Sequence, residues 1–414
     1  MAVPLPVRAT AGEEADGRTT FEVADVVRAC GDRFLHTHPT SHQQRAVLRA
    51  IARCRTAALG GHVEQCDGCG HRRIAYNSCR NRHCPKCQGQ QRAKWMAAEQ
   101  AMLLPTEYFH VVFTVPHALN PLMRVNPRAL YGLLFRAAAA TLLAFARDPK
   151  HLGGEPAITM VLHTWGQTLT DHVHVHCVVS GGGLSPDRSR WVSRPRARRR
   201  RPFLFPVKAL SKLFRGKYLA ALVRLQRTGA LDFVGQSAPL GEAVHWQPLI
   251  AALRSRPWVV YAKPPFGGPT CVLRYLSRYT HRVAIANRRL VFVGAGVVRF
   301  TYKDYADGDR HKEMTLRADE FLRRFLLHVA PRGFMRIRHY GLLANCRRGQ
   351  KLARCREILG VAAPPSLSAD RDDAGADCAR DADRPSPSAP PPCPVCGQPM
   401  RVVERIAPHS YDTS

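Results

Sequence analysis

Two hydrophobic periods alternate along the chain, and the switches between them mark its elements. Phe21 to Arg55 carries apolar residues at helical spacing, with His42, Gln43, Gln44 and Arg45 on a polar face. Gln90 to Leu104 repeats that period and carries Arg92, Lys94 and Trp95. Tyr108 to Val115 is an aromatic and β-branched run that predicts a strand, and Ala118 to Arg147, rich in Leu and Ala, predicts helix. Ala157 to Trp165 and His172 to Ser180 predict two more strands, the second ended by Gly181-Gly182-Gly183. Gly166 to Asp171 joins them as a hairpin whose turn is longer than the tightest types. Val207 to Arg227 predicts an amphipathic helix, Trp258 to Ala262 a short strand, and Cys271 to Arg282 a helix. Leu290 to Tyr305 reads as two strands about Gly294-Ala295-Gly296, and Leu316 to Val329 as a helix ending before Pro331. Arg336 to Leu359 is basic and mostly helical in pattern, and no internal repeat is present.

Strand runs mixed with helices predict an α+β protein, with a small zinc-ribbon module before the main strand region and a basic helical extension after it. The expected divisions are a disordered leader (1–20), a helical and zinc-binding part (21–104), the sheet domain (105–310), the extension (311–362) and a tail (363–414). The Ala/Asp/Pro/Ser composition of Ala363 to Pro392 predicts a disordered linker leading to Cys393-Pro394-Val395-Cys396. No segment approaches the roughly 18–20 apolar residues of a membrane span. Met1 to Asp16 lacks the apolar core of a signal peptide, so a cytoplasmic, nucleoid-associated location is expected.

Charge narrows the partner. With 62 Lys and Arg against 31 Asp and Glu, the formal net charge of +31 attracts polyanions, nucleic acid foremost. The excess of arginine over lysine suits bidentate phosphate contacts, although a GC-rich genome would produce it too. The shortage of acids has no such explanation. Arg194, Arg196 and Arg198 to Arg201 form the densest cationic run, flanked by Trp191, Phe203 and Phe205. Arg198, Arg199 and Arg200 are candidates for phosphate contact.

Fourteen cysteines in a reducing compartment read as metal ligands. Cys66-x2-Cys69 and Cys84-x2-Cys87, fourteen residues apart, match two knuckles of a zinc ribbon sharing one structural, tetrahedral Zn²⁺. Cys79, His83, His62 and His71 are left over, to form a second site or replace a member of the first. The module is expected to hold Arg72, Arg73, Arg80, Arg82 and Lys86 in a DNA-binding shape. Cys393 and Cys396 would need partners elsewhere, Cys378 among the candidates.

His172, His174 and His176 alternate on one strand and share a face, where they can bind a divalent metal; Val173 and Val175 take the other face. Imidazoles favour Mn²⁺, Zn²⁺ or Fe²⁺, and added phosphate oxygens and water would make the site tolerable to Mg²⁺. Tyr275 and Tyr279 lie one helical turn apart among Arg274, Arg278 and Arg282, with His281 following. Those arginines would neutralise a scissile phosphate and assist a phenolate whose free form titrates near pH 10. A metal beside a tyrosine pair on a chain this basic suggests DNA cleavage and rejoining through a phosphotyrosine.

The stretches HVEQCDGCGHRRIAYNSCRNRHCPKCQG, YFHVVFTVPHALNP, LHTWGQTLTDHVHVHCVVSGGGL, LRYLSRYTHRVAIANRRL and RIRHYGLLANCRRGQKLARCREILG cover most of residues 35–360. In order and content they resemble the insertion sequence 91 family of rolling-circle transposases, of the His-hydrophobe-His nuclease class. The resemblance implies a zinc-binding N-terminal domain, a nuclease domain with an antiparallel sheet, single-stranded DNA intermediates and a 5′-phosphotyrosine. It implies that His174 and His176 are the metal pair, with Mg²⁺ or Mn²⁺ as catalytic ion and His172 a spare or third ligand. Gln167 and His163 are further candidates for a third ligand. Tyr275 and Tyr279 match the nucleophile positions, and Tyr279 is the one expected to be required. Two other readings compete: a zinc-dependent DNA-binding regulator without catalysis, and a plasmid replication initiator or relaxase using the same chemistry.

Overall fold

The structure is a computed structural model describing residues 21–194, 203–265, 271, 284–305, 307–362 and 390–409. Helices α1 (Val23–Thr37) and α2 (His42–Arg53) open it. A capping box starts α2: Gln44 N–H donates to Ser41 Oγ at 3.2 Å, and Ser41 N–H donates to Gln44 Oε1 at 2.9 Å. Hairpin β1 (Gly61–Cys66) and β2 (Arg72–Tyr76) follows, then α3 (Gln88–Met102) and β3 (Tyr108–Thr114). Pro127 splits the expected Ala118 to Arg147 helix into α4 (Asn120–Val125) and α5 (Pro127–Arg147), because its ring and missing N–H are tolerated only in a first turn.

Strands β4 (Glu155–Trp165) and β5 (Asp171–Leu184) form the expected hairpin. β5 does not stop at the three glycines, because they admit close neighbours: the Trp191 indole covers Gly182, and the Glu155 backbone lies against Gly183. Next come β6 (Trp191–Ser193), α6 (Val207–Arg227), α7 (Ala243–Ser255) and β7 (Val260–Ala262). β8 (Leu290–Gly294), β9 (Val297–Asp304) and β10 (Arg310–Arg317) make a three-stranded sheet ahead of α8 (Ala318–Leu327). β11 (Ile337–Gly341), α9 (Arg348–Leu359) and β12 (Met400–Ile406) complete the described chain.

The central sheet runs β11-β4-β5-β3-β7, with β6 also on β5, and every pairing is antiparallel. One face carries Phe109, Val111, Phe113, Val173, Val175, Cys177 and Val179 into the main core, against α5, α6 and α7. α5 is long and apolar enough to cross a membrane by length and composition, contrary to the expectation from the sequence. Its apolar surface is instead largely buried in this core. On the other face, Tyr108, Val161 and Val178 meet Trp95 of α3. Buried Glu99 fixes α3 there, accepting from His339 Nε2 at 2.6 Å and Thr159 Oγ1 at 3.2 Å.

A second core joins α1 and α2 to β8, β9 and α8 through Val26, Phe34, Ile51, Phe300, Phe321 and Phe325. Residues 21–55 and 284–329 thus form one packed unit, which the expected division at residues 104 and 310 does not capture. The basic extension is not mostly helical either. Residues 337–341 form the sheet's edge strand beside β4. Its alternation is hidden because the core-side residue is Arg338, whose guanidinium stacks on Phe135 and Phe334 at 4.5 and 5.0 Å. The expected linker falls largely outside the described residues, but the tail beyond it is ordered: β12 pairs with β1.

His328 ties α8 to the hairpin. Its Nε2–H donates to the Leu169 carbonyl at 3.0 Å, and its Nδ1 accepts from the Thr164 hydroxyl at 3.1 Å. Burial pushes its pKa down to about 4, so it folds neutral while the unfolded chain binds a proton below about pH 6.5. His328 therefore contributes its stabilisation in full above pH 6.5 and loses roughly 3 kcal/mol of it as pH drops from 6.5 to 4, beside the other buried neutral histidines, which act in the same direction. Urea titrations across that range check this, and His328→Gln should make the fall shallower by about that amount.

A histidine cluster and two cysteine clusters

Period-two alternation on β5 sends His172, His174 and His176 to the sheet face opposite the valine core, and pairing with β4 sets His163 directly across from His174. His163, His174 and His176 are all buried, and their nearest ligand nitrogens lie within 4.8 Å of one another. The Nε2 atoms of His174 and His176 are 3.0 Å apart. That is the separation of adjacent ligands about 2.1 Å from one octahedral ion. His174 Nδ1 lies 2.7 Å from the His172 carbonyl, which can only accept, so that nitrogen carries the proton and Nε2 keeps its lone pair free. His163 stacks on Trp165 at 4.4 Å, which fixes its ring.

Behind the cluster stands His110 of β3, its Nε2 2.9 Å from His176 Nδ1. Such outer partners orient a ligating imidazole and set its tautomer. Burial first, then neighbouring positive groups, hold His174 and His176 far below the ordinary imidazole range and His110 down at about 3. His174 and His176 are therefore neutral donors, and among the described residues the cluster contains no carboxylate.

Not every expected ligand joins it. His172 is tilted against His117, with ring centres 5.4 Å apart, and is not one of the three clustered ligands. Gln167 Nε2 donates to Tyr305 Oη at 3.3 Å. Of the expected third ligands, His163 is the one at the cluster; it could be found from the sequence as the residue facing His174 across the predicted hairpin. His110 had no such signal, being one polar residue in an apolar strand. Tyr275, Tyr279, Arg274, Arg278, Arg282, Arg198, Arg199 and Arg200 lie outside the described residues.

The cysteines sort differently from the spacing expectation. Cys84 and Cys87 do not share a site with Cys66 and Cys69. One cluster joins Cys54, Cys79, Cys84 and Cys87; the other joins Cys66 and Cys69 to Cys393 and Cys396 of the tail. In the first, Cys54 and Cys79 lie 3.5 and 3.6 Å from the Cys87 sulfur. Four thiolates about 2.3 Å from a tetrahedral ion would be about 3.8 Å apart. Hydrogen bonds among the thiols, those with Cys54 first, hold Cys87 far below the ordinary thiol range and Cys79 and Cys84 above it, so the thiolate charge of the four sulfurs sits on Cys87. Cys54 escaped notice because it stands alone at the end of α2, with no knuckle spacing around it.

His83 is not among either set of clustered ligands. It is buried, its pKa pushed to about 3 by burial and then by Arg336 and Arg82, and its Nε2 accepts from Ala330 N–H at 3.3 Å. Arg82 donates to the carbonyls of Phe334, Pro331 and Ala330 at 2.6, 2.8 and 3.2 Å, which ties the first cluster to the loop before β11. Arg73 pairs with Glu64 and Lys86 with Glu22, both at 2.5 Å. Arg73, Arg82 and Lys86, all expected to face DNA, are thus engaged within the protein.

Residues 26–115 match a family described as "Transposase zinc-binding domain", and residues 157–351 match one described as "Putative transposase". The first match holds the entire Cys54 cluster and His110; the second holds His163, His174 and His176. The chain is 53% identical over 349 residues to "Putative transposase y4qJ" of Sinorhizobium fredii, covering 84% of this chain and 86% of that one. It is 30% identical over 318 residues to "Transposase for insertion sequence element IS801" of Pseudomonas savastanoi pv. phaseolicola, covering 75% and 73%. No solved structure matches the chain.

Cys54→Ser is expected to lower the zinc content of the purified protein by one equivalent, and His83→Gln to leave it unchanged. Metal analysis of the two variants separates this grouping from one in which His83 is a ligand.

Proposed function

Because the chain belongs to the insertion sequence 91 family of transposases, we propose that it cuts and transfers single-stranded DNA through a tyrosine–phosphate ester at a divalent-metal site of His163, His174 and His176. The observation that supports this reading is the convergence of three buried imidazoles, two of them held neutral with lone pairs 3.0 Å apart. Mg²⁺ or Mn²⁺ there would act as a Lewis acid on a non-bridging phosphate oxygen. In the same reading the first cysteine cluster holds a structural zinc, since four thiolates leave no open position.

The Tyr279 phenolate attacks phosphorus in line as the P–O3′ bond breaks, and the departing 3′ oxygen takes up a proton. The 5′ phosphate is left esterified to the tyrosine. A 3′ hydroxyl then attacks that ester, reforms a P–O3′ bond and returns the phenol, with no net change in bond type and no need for ATP. Tyr275 would serve a second exchange on the other strand end. Arg274, Arg278 and Arg282 would neutralise the phosphate, and Arg198, Arg199 and Arg200 would bind flanking backbone. His110 is a positioning residue: by accepting from His176 Nδ1–H it keeps His176 Nε2 free for the ion.

Incubation with Mn²⁺ and single-stranded oligonucleotides from the element's own ends should give a denaturant-stable adduct that maps to Tyr279. His163→Ala, His174→Ala and His176→Ala should each reduce it about 100-fold or more while DNA binding stays intact. His110→Ala should cost about 10- to 100-fold in Mn²⁺ affinity and be partly rescued by excess Mn²⁺. Adduct formation at the wild-type rate in His174→Ala would refute the metal site.

A further inference from the structure

The second cysteine cluster lies partly outside both matched segments, since Cys393 and Cys396 follow residue 351. Its two halves have the same backbone geometry. In Cys66-Asp67-Gly68-Cys69-Gly70, the Cys66 carbonyl accepts from Gly70 N–H at 3.0 Å, and Cys66 N–H donates to the His71 carbonyl at 2.9 Å. In Cys393-Pro394-Val395-Cys396-Gly397, the Cys393 carbonyl accepts from Gly397 N–H at 2.9 Å, and Cys393 N–H donates to the Gln398 carbonyl at 2.7 Å. Both turns close on a left-handed glycine, φ +71° at Gly70 and +76° at Gly397. Cys84-Pro85-Lys86-Cys87 differs: Gln88 follows it and α3 begins there.

The two turns face each other. Cys66 and Cys396 sulfurs are 3.4 Å apart, Cys69 and Cys393 sulfurs 3.6 Å apart, and all four lie within 4.8 Å. A backbone donor, Val395 N–H, also points at Cys393 Sγ from 3.4 Å, the kind of bond that favours a thiolate. Around them β12, β1 and β2 form a three-stranded sheet whose own apolar core, among the described residues, is Cys66, Cys393 and Met400. The Arg401–Asp67 ion pair beside it is exposed and contributes little. So small a core does not hold a terminal strand in place unaided, and a metal does so in domains of this size.

We propose that Cys66, Cys69, Cys393 and Cys396 bind a second zinc ion, closing a zinc ribbon built from two segments 330 residues apart and locking β12 onto β1. Sulfur-only tetrahedral ligation selects zinc among the common divalent ions. Cys69 and Cys396 are exposed, whereas three of the four cysteines in the Cys54 cluster are buried, so the tail zinc is the one that leaves first. Its loss frees residues 390–409 from the N-terminal module without disturbing the central sheet.

Full-length protein purified under reducing conditions with zinc should carry two zinc ions by native mass spectrometry, and Cys393→Ser/Cys396→Ser should carry one. A weak chelator applied to the wild type should remove one zinc and abolish hydrogen-exchange protection of amides 400–406, with β3, β4 and β5 still protected. One zinc in the wild type, two in the double variant, or an intact mass showing disulfides at these cysteines would overturn the site. Unchanged protection of 400–406 after one zinc leaves would overturn the clamp. The zinc count does not depend on DNA cleavage, so this inference and the proposed nuclease chemistry fail separately.

Discussion

The antiparallel pairing of β4 with β5 sets the geometry on which the rest of the molecule relies. In that register Val175 and Cys177 enter the main core while His174 and His176 face the opposite way, and His163 arrives across from His174. A one-residue slip would exchange the two faces, burying imidazoles among the aliphatic side chains of α5 and α6 and turning valines outward. The register is held from both sides, by β3 against β5 and by β11 against β4. Core packing and assembly of the histidine cluster are therefore one event, not two.

Around that sheet the chain is tied together by contacts between its distant parts. The N-terminal helices share a core with β8, β9 and α8, and Arg82 and His83 reach the loop that leads into β11. The Cys54 cluster sits at this junction. It lies where the end of α2, the loop after β2 and the start of α3 meet, so a bound ion would cross-link three segments and brace the sheet's flank. Basic residues of the module are spent partly on this bracing, which explains why charge alone overestimates the surface left for nucleic acid. In this protein an arginine is as readily a tether between backbone carbonyls as a phosphate contact.

Much of the fold was legible because it is local. Period-two runs located β3, β4 and β5, and helical periodicity located α6 to its end residues. β11 was missed because Arg338 packs on aromatic rings where an aliphatic residue would have shown the alternation. β10 was missed because its exposed positions are charged or polar and only Met314 and Leu316 mark its apolar side. The donor clusters were legible in residue type but not in membership. Spacing alone joined Cys66 and Cys69 to the nearest second pair; the glycine after Cys69 and after Cys396 was the sequence mark of matching turns.

What the sequence by itself determined is the set of donors and the face each presents: three alternating imidazoles, paired thiols on tight turns, and a cationic excess of +31. Periodicity fixes these because neighbouring residues dictate side-chain direction. Which donors meet was decided only by the tertiary structure. His110 reaches His176 across 66 residues, Cys54 reaches Cys87 across 33, and Cys66 reaches Cys396 across 330. Separations of that size are bridged by sheet register and core packing, which local spacing does not encode.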